Sequence, residues 1–261
     1  KRYVCEGRVI TVKLKPGREG PVRAGHPWIF SGAINTVERE SSVGELARVV
    51  AADGNFIGIG YYNPNPRCSI AVRMLTRRET AIDTDFIRRR PEAALTLRQT
   101  LIRPDTTAFR LVNGEGDFLP GLVVDIYSQF AVCQYLTAGA ERLKPQIVEG
   151  LVALLSPQGI YEKSEGNVRQ EEGLTNASEV LWGVEPPPLL EIQENGCRFL
   201  VDPRGGQKTG FFLDQRDNRA LVSQIAGGKQ VLNGFAYTGG FGIFAAKGEA
   251  KYVISVDSSD K

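Results

Sequence analysis

Hydrophobic and polar positions alternate along the first third of the chain. The run RVITVKLKPG (8–17) alternates and ends in a turn, and the run ELARVVAADGNFIGIGYY (45–62) contains Asp53-Gly54, a dipeptide typical of β-hairpins. This pattern predicts an all-β domain over residues 1–78, built as a small barrel or sandwich. Two further runs predict short strands in it: PWIF (27–30) and CSIAVRML (68–75).

The period of the apolar positions changes after residue 78. A helix is predicted over 81–103, capped by Asp83 and kinked or restarted at Pro91. Strands, a second helix and another strand follow, which predicts a central α+β domain over 79–186. The apolar residues expected on one side of the first helix are Phe86, Ile87, Ala94, Leu95 and Leu101. The later segments are 109–136 (strands), 139–155 (helix) and 159–165 (strand).

The last part of the chain, 187–261, alternates between strand and helix patterns. It follows WGVEPPPLLEIQENG (182–196), whose three prolines favour an extended linker. The order predicts the opening β-α-β unit of a doubly wound parallel sheet. The segments behind this prediction are a strand at 197–202, a helix at 213–228, a strand at 230–233, a helix at 241–248 and a strand at 251–257.

Composition narrows the chemistry. Lys and Arg total 32 against 30 Asp and Glu, so the whole chain is not basic, although RRETAIDTDFIRRR (77–90) is locally rich in arginine and is most simply a solvated helix face. The single histidine, His26, gives no support to a metal site. No apolar run reaches the length of a membrane span, and four dispersed cysteines suit reduced thiols in a cytoplasmic protein.

The run VLNGFAYTGGF (231–241) carries the clearest candidate chemistry. It lies where a parallel sheet binds ligands, and Gly239 and Gly240 let the backbone approach a small molecule. Asp257 ends the next strand, 18 positions after Gly239, where an acid can accept hydrogen bonds from ribose hydroxyls. The run matches neither a Walker A loop nor G-x-G-x-x-G, so S-adenosylmethionine fits better than a nucleotide pyrophosphate. A glycine-rich turn without a ligand is the alternative.

A second run, GQKTGFFLDQRDNR (206–219), is ambiguous when it is taken alone. Its basic residues could meet phosphates, and its acids could orient a cofactor amine or a base, but capping of a helix by Asp214 is the simpler interpretation. The basic residues are Lys208, Arg216 and Arg219, and the acids are Asp214 and Asp217.

Four runs together resemble the bacterial RlmI-type large-subunit rRNA cytosine-C5 methyltransferases, which are class I enzymes that use S-adenosylmethionine. The runs are GHPWIFSGAI (25–34), NGEGDFLPGLVVD (113–125), GQKTGFFLDQRDNR (206–219), and VLNGFAYTGGF with SVDSSDK (231–241, 255–261). The resemblance implies a multidomain α+β and α/β protein: an N-terminal PUA-like β-barrel, a central α+β domain and the start of a Rossmann-like methyltransferase domain.

The resemblance also implies site residues and partners. The cofactor is S-adenosylmethionine, the partner is large-subunit rRNA, no metal or membrane is involved, and a homodimer is compatible with the sequence. The implied cofactor-binding residues are Phe211, Asp214, Arg216, Asn233, Tyr237, Thr238, Gly239, Gly240, Phe241 and Asp257. The implied RNA-binding residues are Arg23, His26, Arg67 and Lys208, whereas Trp28 and Phe30 are expected in the barrel core.

Two departures from the family's pattern qualify this interpretation. Gly234 stands where the family often has cysteine, which loosens the turn without removing cofactor contacts. The family's Asp-Pro-Pro motif and its catalytic cysteine are not found, and none of Cys5, Cys68, Cys133 or Cys197 matches that cysteine. We therefore expect the nucleophile beyond Lys261, and expect this chain alone to be inactive in methyl transfer.

Three other functions remain open at this stage. The chain could be a non-catalytic RNA-binding module, which sequence beyond Lys261 would decide. It could be a methyltransferase acting on an exocyclic guanine nitrogen, which needs no cysteine and differs in the atom that is modified. A nicotinamide oxidoreductase is the weakest alternative, because this loop does not favour a pyrophosphate.

Overall fold

The alternating runs of the first third form a single six-stranded sheet. In the computed structural model, which describes residues 9–258, the strands are β1 (Ile10–Leu14), β2 (Trp28–Phe30), β3 (Ile34–Val37), β4 (Glu45–Val50), β5 (Phe56–Tyr62) and β6 (Ile70–Thr76). The strand order is β2-β6-β5-β4-β1-β3, and the neighbours are antiparallel except for the parallel pair β1 and β4. A short helix, α1 (Gly20–Arg23), connects β1 to β2. We call this the N-terminal sheet.

The expectation that Trp28 and Phe30 belong to the core of this sheet is wrong. Ile29 is only 2% exposed and packs in the core, whereas Phe30 is 48% exposed and Trp28 is half-buried. The cause is the period of a strand, in which successive side chains point to opposite faces. With Ile29 inward, both aromatic neighbours must point outward.

The middle of the chain forms a five-stranded sheet, the central sheet, with order β11-β10-β9-β8-β7. Its strands are β7 (Ala108–Asn113), β8 (Leu122–Tyr127), β9 (Phe130–Tyr135), β10 (Gly159–Ser164) and β11 (Ala177–Gly183). Its helices are α2 (Thr84–Leu101), α3 (Ala138–Arg142), α4 (Lys144–Leu155) and α5 (Asn167–Glu171).

Helix α2 begins as the sequence predicts. The Asp83 side chain accepts a hydrogen bond of 2.8 Å from the Phe86 amide, which caps the first turn. Pro91 does not restart the helix: it is buried inside one continuous element, which packs against α4. Leu101 was expected on the buried side but is 68% exposed, since it is the last residue of the helix.

The two faces of the central sheet carry different partners. Along β9, Ala131, Cys133 and Tyr135 pack in the core that includes Ile87 of α2 and Ile147 of α4. The alternate positions face the other way. Val132 and Tyr127 pack with Phe199, Phe211 and Phe244, which come from the last third of the chain. The central sheet therefore lies between its own helices and the C-terminal segments.

The predicted linker at 182–196 is partly wrong. Its second half forms strand β12 (Leu190–Glu194), which pairs with β13 (Cys197–Val201) in an antiparallel hairpin. The reason is the turn at Asn195-Gly196, where both residues have positive φ (49° and 78°), the geometry that joins two strands tightly. The prolines at 186–188 precede this hairpin and lie outside any strand.

The β-α-β unit is present as predicted. Strands β14 (Gln230–Gly234) and β15 (Tyr252–Val256) pair in parallel, and helix α7 (Gly240–Lys247) connects them. Helix α6 (Arg216–Ile225) precedes β14 and packs against α7. Residues 259–261 of the SVDSSDK run lie outside the described residues.

A buried carboxylate joins the N-terminal and central sheets. Glu172, which follows α5 and is 2% exposed, accepts hydrogen bonds from Arg73 of β6 (2.9 Å) and Asn63 (2.8 Å). The Ala138 amide at the start of α3 also donates to it, at 3.2 Å. Because a buried charge is stable only when it is paired, these donors must stay in place.

We predict that Glu172→Gln lowers the free energy of unfolding by about 3 kcal/mol, since it leaves Arg73 buried without its main counter-charge. The matched control is Glu79→Gln. Glu79 pairs with Arg48 at 3.0 Å with both side chains exposed, and its loss should cost less than about 1 kcal/mol. Urea unfolding of both variants tests this, and equal losses would contradict a special role for Glu172.

Candidate functional site

The predicted ligand loop leaves the carboxyl end of β14, next to β15. The register pairs Asn233 with Ser255 and Gly234 with Val256, so the chain emerges at the sheet edge where α/β proteins bind ligands. Residues 235–239, which we call the cofactor loop, cross to the first turn of α7. The amides at the start of that helix have no partner within it and can bind an anionic or polar group.

The backbone of the cofactor loop is strained. Phe235 (φ 55°) and Tyr237 (φ 49°) adopt the left-handed conformation that costs a non-glycine residue about 1–2 kcal/mol, and Gly239 (φ 73°) adopts it as the cap of α7. Phe235 is also 96% exposed, which is unusual for a large apolar side chain. Backbone strain of this kind is enriched at active sites and ligand-binding sites.

Asp257 lies against this loop, as its position after β15 predicts. Its Oδ2 atom accepts a hydrogen bond of 2.7 Å from the Tyr237 amide. The Ala236 amide donates to the Val256 carbonyl at 3.1 Å, which fixes the loop to the end of β15. A carboxylate has about four acceptor positions, so this bond leaves capacity for a ligand hydroxyl.

One side of the loop is packed and the other is open. A side chain at Gly240 would lie 3.0 Å from Cδ of Arg219, and one at Gly242 would lie 2.9 Å from Oγ of Ser255. By contrast, a Cβ at Gly234 or Gly239 would meet no atom within 4 Å. The open side is where a small molecule can approach the backbone.

The second motif lies next to the cofactor loop. We call residues 206–212 the motif loop. The Tyr237 hydroxyl accepts a hydrogen bond from the Gln207 amide (3.1 Å) and donates one to the Gly210 carbonyl (3.2 Å). The Tyr237 ring packs edge-on against Phe212, with 5.5 Å between centroids. The structure thus brings together two segments that are well separated in sequence.

Several predicted residues occupy this neighbourhood in different ways. Lys208 pairs with Asp214 at 3.2 Å and lies over the Phe212 ring. Burial opposes ionisation of Asp214, but hydrogen bonds from Lys208 and Gln215 outweigh it and lower the pKa of that carboxyl. Arg216 pairs with its neighbour Asp217 at 3.1 Å.

Other predicted residues support the site from beneath. Phe211 is 2% exposed and packs in the core against Phe199, so it does not face the open side of the loop. Asn233 is buried and donates to Ser255 Oγ at 3.3 Å. Thr238 and Phe241 are half-buried beside Gly239 and Gly240.

The expectation that Arg219 could meet a phosphate is wrong. Its side chain is buried and makes two hydrogen bonds to Glu194 of β12, at 2.6 and 2.7 Å, and a third of 3.0 Å to the Phe212 carbonyl. It therefore ties the hairpin and the motif loop to the first turn of α6. The sequence gives no local signal of this pair, because Glu194 stands in the segment that was expected to be a linker.

A second surface lies on the N-terminal sheet, next to α1. A groove of about 500 Å³, the aromatic groove, is lined by Arg18, Pro21, Val22, His26, Trp28, Ile29, Phe30, Gly32 and Ala33. The His26 ring stands edge-on to Trp28, with 5.8 Å between centroids, and lies 6.2 Å from Phe30. The Trp28 indole donates to Glu115 at 2.7 Å, which fixes its orientation.

The structure separates the four residues that were predicted to bind RNA. His26 lines the aromatic groove, and Arg23 is exposed at the end of the adjacent α1. Arg67 is exposed in the turn before β6 but does not line the groove, and Lys208 belongs to the motif loop. Arg77, which sequence reasoning did not single out, donates to the carbonyls of Val22 and His26 and shapes this surface.

Three of the four cysteines can be described. Cys68 and Cys133 are buried free thiols, as expected, and Cys197 is a half-buried free thiol at the edge of the core around Phe199. Cys5 lies outside the described residues. Within residues 9–258, no group of three or more His, Cys, Asp or Glu is placed to hold a metal ion. In the same part of the chain, no helix is both long enough and apolar enough to cross a membrane.

Comparison with known proteins identifies both ends of the chain. Residues 12–77 match the family described as PUA-like domain, and residues 163–260 match the family of S-adenosylmethionine-dependent methyltransferases. The first match covers the N-terminal sheet with its aromatic groove, and the second covers the motif loop and the cofactor loop.

Curated relatives match over almost the whole chain. Ribosomal RNA large subunit methyltransferase I of Aliivibrio fischeri is 42% identical over 251 residues, which are 96% of this chain and 63% of that protein. The protein of the same name from Photobacterium profundum is 43% identical over 251 residues, which are 95% of this chain and 63% of that protein. The chain thus spans slightly less than two thirds of the length of these relatives.

Solved structures agree with the fold. A crystal structure of a candidate methyltransferase complexed with SAH has a TM-score of 0.81 and 25% identity, and covers 97% of this chain and 63% of that one. A candidate SAM-dependent methyltransferase of Streptococcus mutans has a TM-score of 0.78 and 24% identity, and covers 97% of this chain and 64% of that one. The chain therefore carries a PUA-like domain and a segment that matches S-adenosylmethionine-dependent methyltransferases, and over almost its whole length it is similar to the ribosomal RNA large subunit methyltransferase I proteins.

Proposed function

We propose that this protein is a methyltransferase of large-subunit rRNA, which binds S-adenosylmethionine at the cofactor loop and RNA at the aromatic groove. The observation that carries the proposal is the meeting of Asp257 with the strained, open-sided loop at the carboxyl end of β14. The names of the relatives support the choice of substrate, and the neighbour complexed with SAH supports the choice of cofactor.

The cofactor would be held by backbone and side chains of this neighbourhood. Asp257 is suited to the ribose hydroxyls, and the first amides of α7 are suited to the carboxylate of the methionine part. Asp214 and Arg216 supply charge beside the motif loop, and Tyr237 holds that loop against the site. The remaining proposed residues are Thr238, Gly239, Gly240 and Phe241 in the loop, with Phe211 and Asn233 beneath it.

The bound cofactor supplies an electrophilic methyl group, and the finer question is which atom of the RNA accepts it. Cytosine C5 becomes reactive when a thiolate adds to the neighbouring ring carbon. Burial raises the pKa of Cys68 to about 11 and that of Cys133 to about 12, so neither is an activated thiolate near pH 7. We propose cytosine C5 as the target, with a thiolate that neither Cys68 nor Cys133 supplies.

RNA binding would use the aromatic groove. Unpaired bases stack on exposed aromatic rings, and phosphates are attracted by nearby basic groups. Phe30 and His26 supply the rings, and Arg18 and Arg23 supply the charge. Arg67 and Lys208 would meet RNA only where it extends beyond this groove.

We predict that Gly239→Ala weakens SAH binding at least tenfold, because the new methyl group points to the open side and strains the left-handed backbone. The control is Gly54→Ala in the turn between β4 and β5, where φ is 89° and the space is also open. Both changes should cost about 1 kcal/mol of stability. Calorimetric titration with SAH tests this prediction. If the two variants bind SAH with equal affinity, the cofactor loop is not the SAH-binding site.

The modified atom is identified by a second experiment. The full-length gene product is incubated with methyl-labelled S-adenosylmethionine and unmodified large-subunit rRNA, and the nucleosides are then separated. We expect label in 5-methylcytosine. A labelled methylguanosine would agree with the proposed cofactor site but show that guanine, and not cytosine, is methylated. SAH binding without any labelled nucleoside would favour a non-catalytic RNA-binding module.

We predict that Phe30→Ala weakens binding of a single-stranded RNA oligonucleotide about tenfold, since stacking on one aromatic ring contributes about 1–3 kcal/mol per base. Leu101→Ala is the control, because it removes another exposed apolar side chain, at the end of α2. Fluorescence anisotropy at a fixed salt concentration measures both. If Phe30→Ala binds the RNA oligonucleotide with unchanged affinity, the aromatic groove is not part of the RNA interface.

A further inference from the structure

The run NGEGDFLPGLVVD ends in a carboxylate that the proposed function leaves without a role. Asp125 of β8 has no exposed surface. It makes a bidentate pair with Arg110 of β7, at 2.8 and 3.0 Å. Its Oδ2 atom also accepts a hydrogen bond of 2.6 Å from the hydroxyl of Thr209, which belongs to the motif loop. A buried carboxylate in the central sheet thus reaches a loop that lies 84 positions further along the chain.

The period of the strand explains why this carboxylate faces the C-terminal segments. In β8, Leu122, Val124 and Ile126 point to the helix side and pack in the central core. Asp125 and Tyr127 occupy the alternate positions and point to the opposite face. Arg110 is the direct cross-strand neighbour of Asp125, so the charge pair is built into the register of the sheet.

The hydrogen bonds around Thr209 have a defined direction. An ionised carboxylate only accepts, so the Thr209 hydroxyl donates its one proton to Asp125. The Tyr127 hydroxyl, 2.8 Å away, must then donate to Thr209 Oγ1. Burial raises the pKa of Tyr127 well above its usual value, which keeps that phenol protonated as a donor. Thr209 itself has no exposed surface, so bulk water does not compete for either hydrogen bond.

The central sheet also holds the motif loop at a second point. Lys163 of β10 is 5% exposed, and its ammonium group donates to the Gly206 carbonyl. On its other side the loop is bound by Tyr237, which contacts Gln207 and Gly210. The loop is therefore clamped between the central sheet and the cofactor loop. Its own backbone is strained at Lys208 (φ 54°), so it depends on these contacts to keep its shape.

We propose that Asp125 is a positioning residue for the cofactor site, which acts through Thr209 to hold the motif loop against Tyr237. The inference rests on the proposed function, because it assigns a role in binding S-adenosylmethionine to the central sheet. Asp125 does not touch the cofactor loop. It sets the position of the motif loop, which carries Lys208 and is hydrogen-bonded to Tyr237 of the cofactor loop.

The test compares two changes at one buried position. Thr209→Val keeps the shape of the side chain and removes the hydroxyl, whereas Thr209→Ser keeps the hydroxyl. We expect Thr209→Val to weaken SAH binding about tenfold and Thr209→Ser to stay within about threefold of the unmodified protein. A purely structural role would instead lower the melting temperature of Thr209→Val and leave the affinity of its folded fraction unchanged.

Asp125→Asn and a matched control extend the test. An amide cannot accept hydrogen bonds from both Arg110 nitrogens and from Thr209. We therefore expect the SAH affinity of Asp125→Asn to fall as it does for Thr209→Val. The control is Asp117→Asn. Asp117 makes the same bidentate pair with Arg98, at 2.6 Å for both bonds, but its further hydrogen bond comes from the Asn113 amide (2.7 Å) and not from the motif loop. The Asp117→Asn variant should be less stable than the unmodified protein but bind SAH with the same affinity.

Amide hydrogen exchange separates the failure of this proposal from the failure of the proposed function. In Thr209→Val the Gln207 and Gly210 amides should exchange about tenfold faster, whether or not the protein binds SAH. If the unmodified protein does not bind SAH, the proposed cofactor is wrong and exchange alone decides the positioning role. If it binds SAH and Thr209→Val binds equally well with unchanged exchange, the positioning role of Asp125 is overturned.

Discussion

A carboxylate that is removed from water must be paired, and this constraint shapes three junctions between segments of the molecule. Glu172 joins the N-terminal sheet to the central sheet through Arg73. Asp125 joins the central sheet to the motif loop through Arg110 and Thr209. Glu194 joins the β12–β13 hairpin to α6 through Arg219. Each of these acids is at most 2% exposed, so each junction keeps its geometry only while its donors stay in place.

The local elements could be predicted because their causes are local. Asp83 caps α2 by accepting a hydrogen bond from the amide three positions further on. In β1 and β4, the alternation of apolar and polar residues indicates which side chains are buried. The β-α-β unit with Asp257 at its end also follows from spacing, since parallel strands end at the same edge. These features depend on neighbours within one element or two, which the sequence displays directly.

What sequence reasoning missed depends on contacts between distant segments. Trp28 faces outward because Ile29 fills the core, and its indole is then satisfied by Glu115, 87 positions away. Arg219 looks like a free cation in its motif but is neutralised by Glu194, in a segment that its prolines suggested was a linker. Phe211 lies in a conspicuous motif and yet packs inward with Phe199 and Phe244. Nothing near these residues in sequence encodes their partners.

The central sheet gives the two proposed binding surfaces a fixed relation. Arg73 lies over the Trp28 ring at 5.7 Å, pairs with Glu172 and lies 3.6 Å from Glu115, so the wall of the aromatic groove is held on the central sheet. The motif loop is held on the same sheet by Asp125 and Lys163. In the proposed function, RNA bound in the aromatic groove and a cofactor bound at the cofactor loop would therefore both be positioned by contacts to the central sheet.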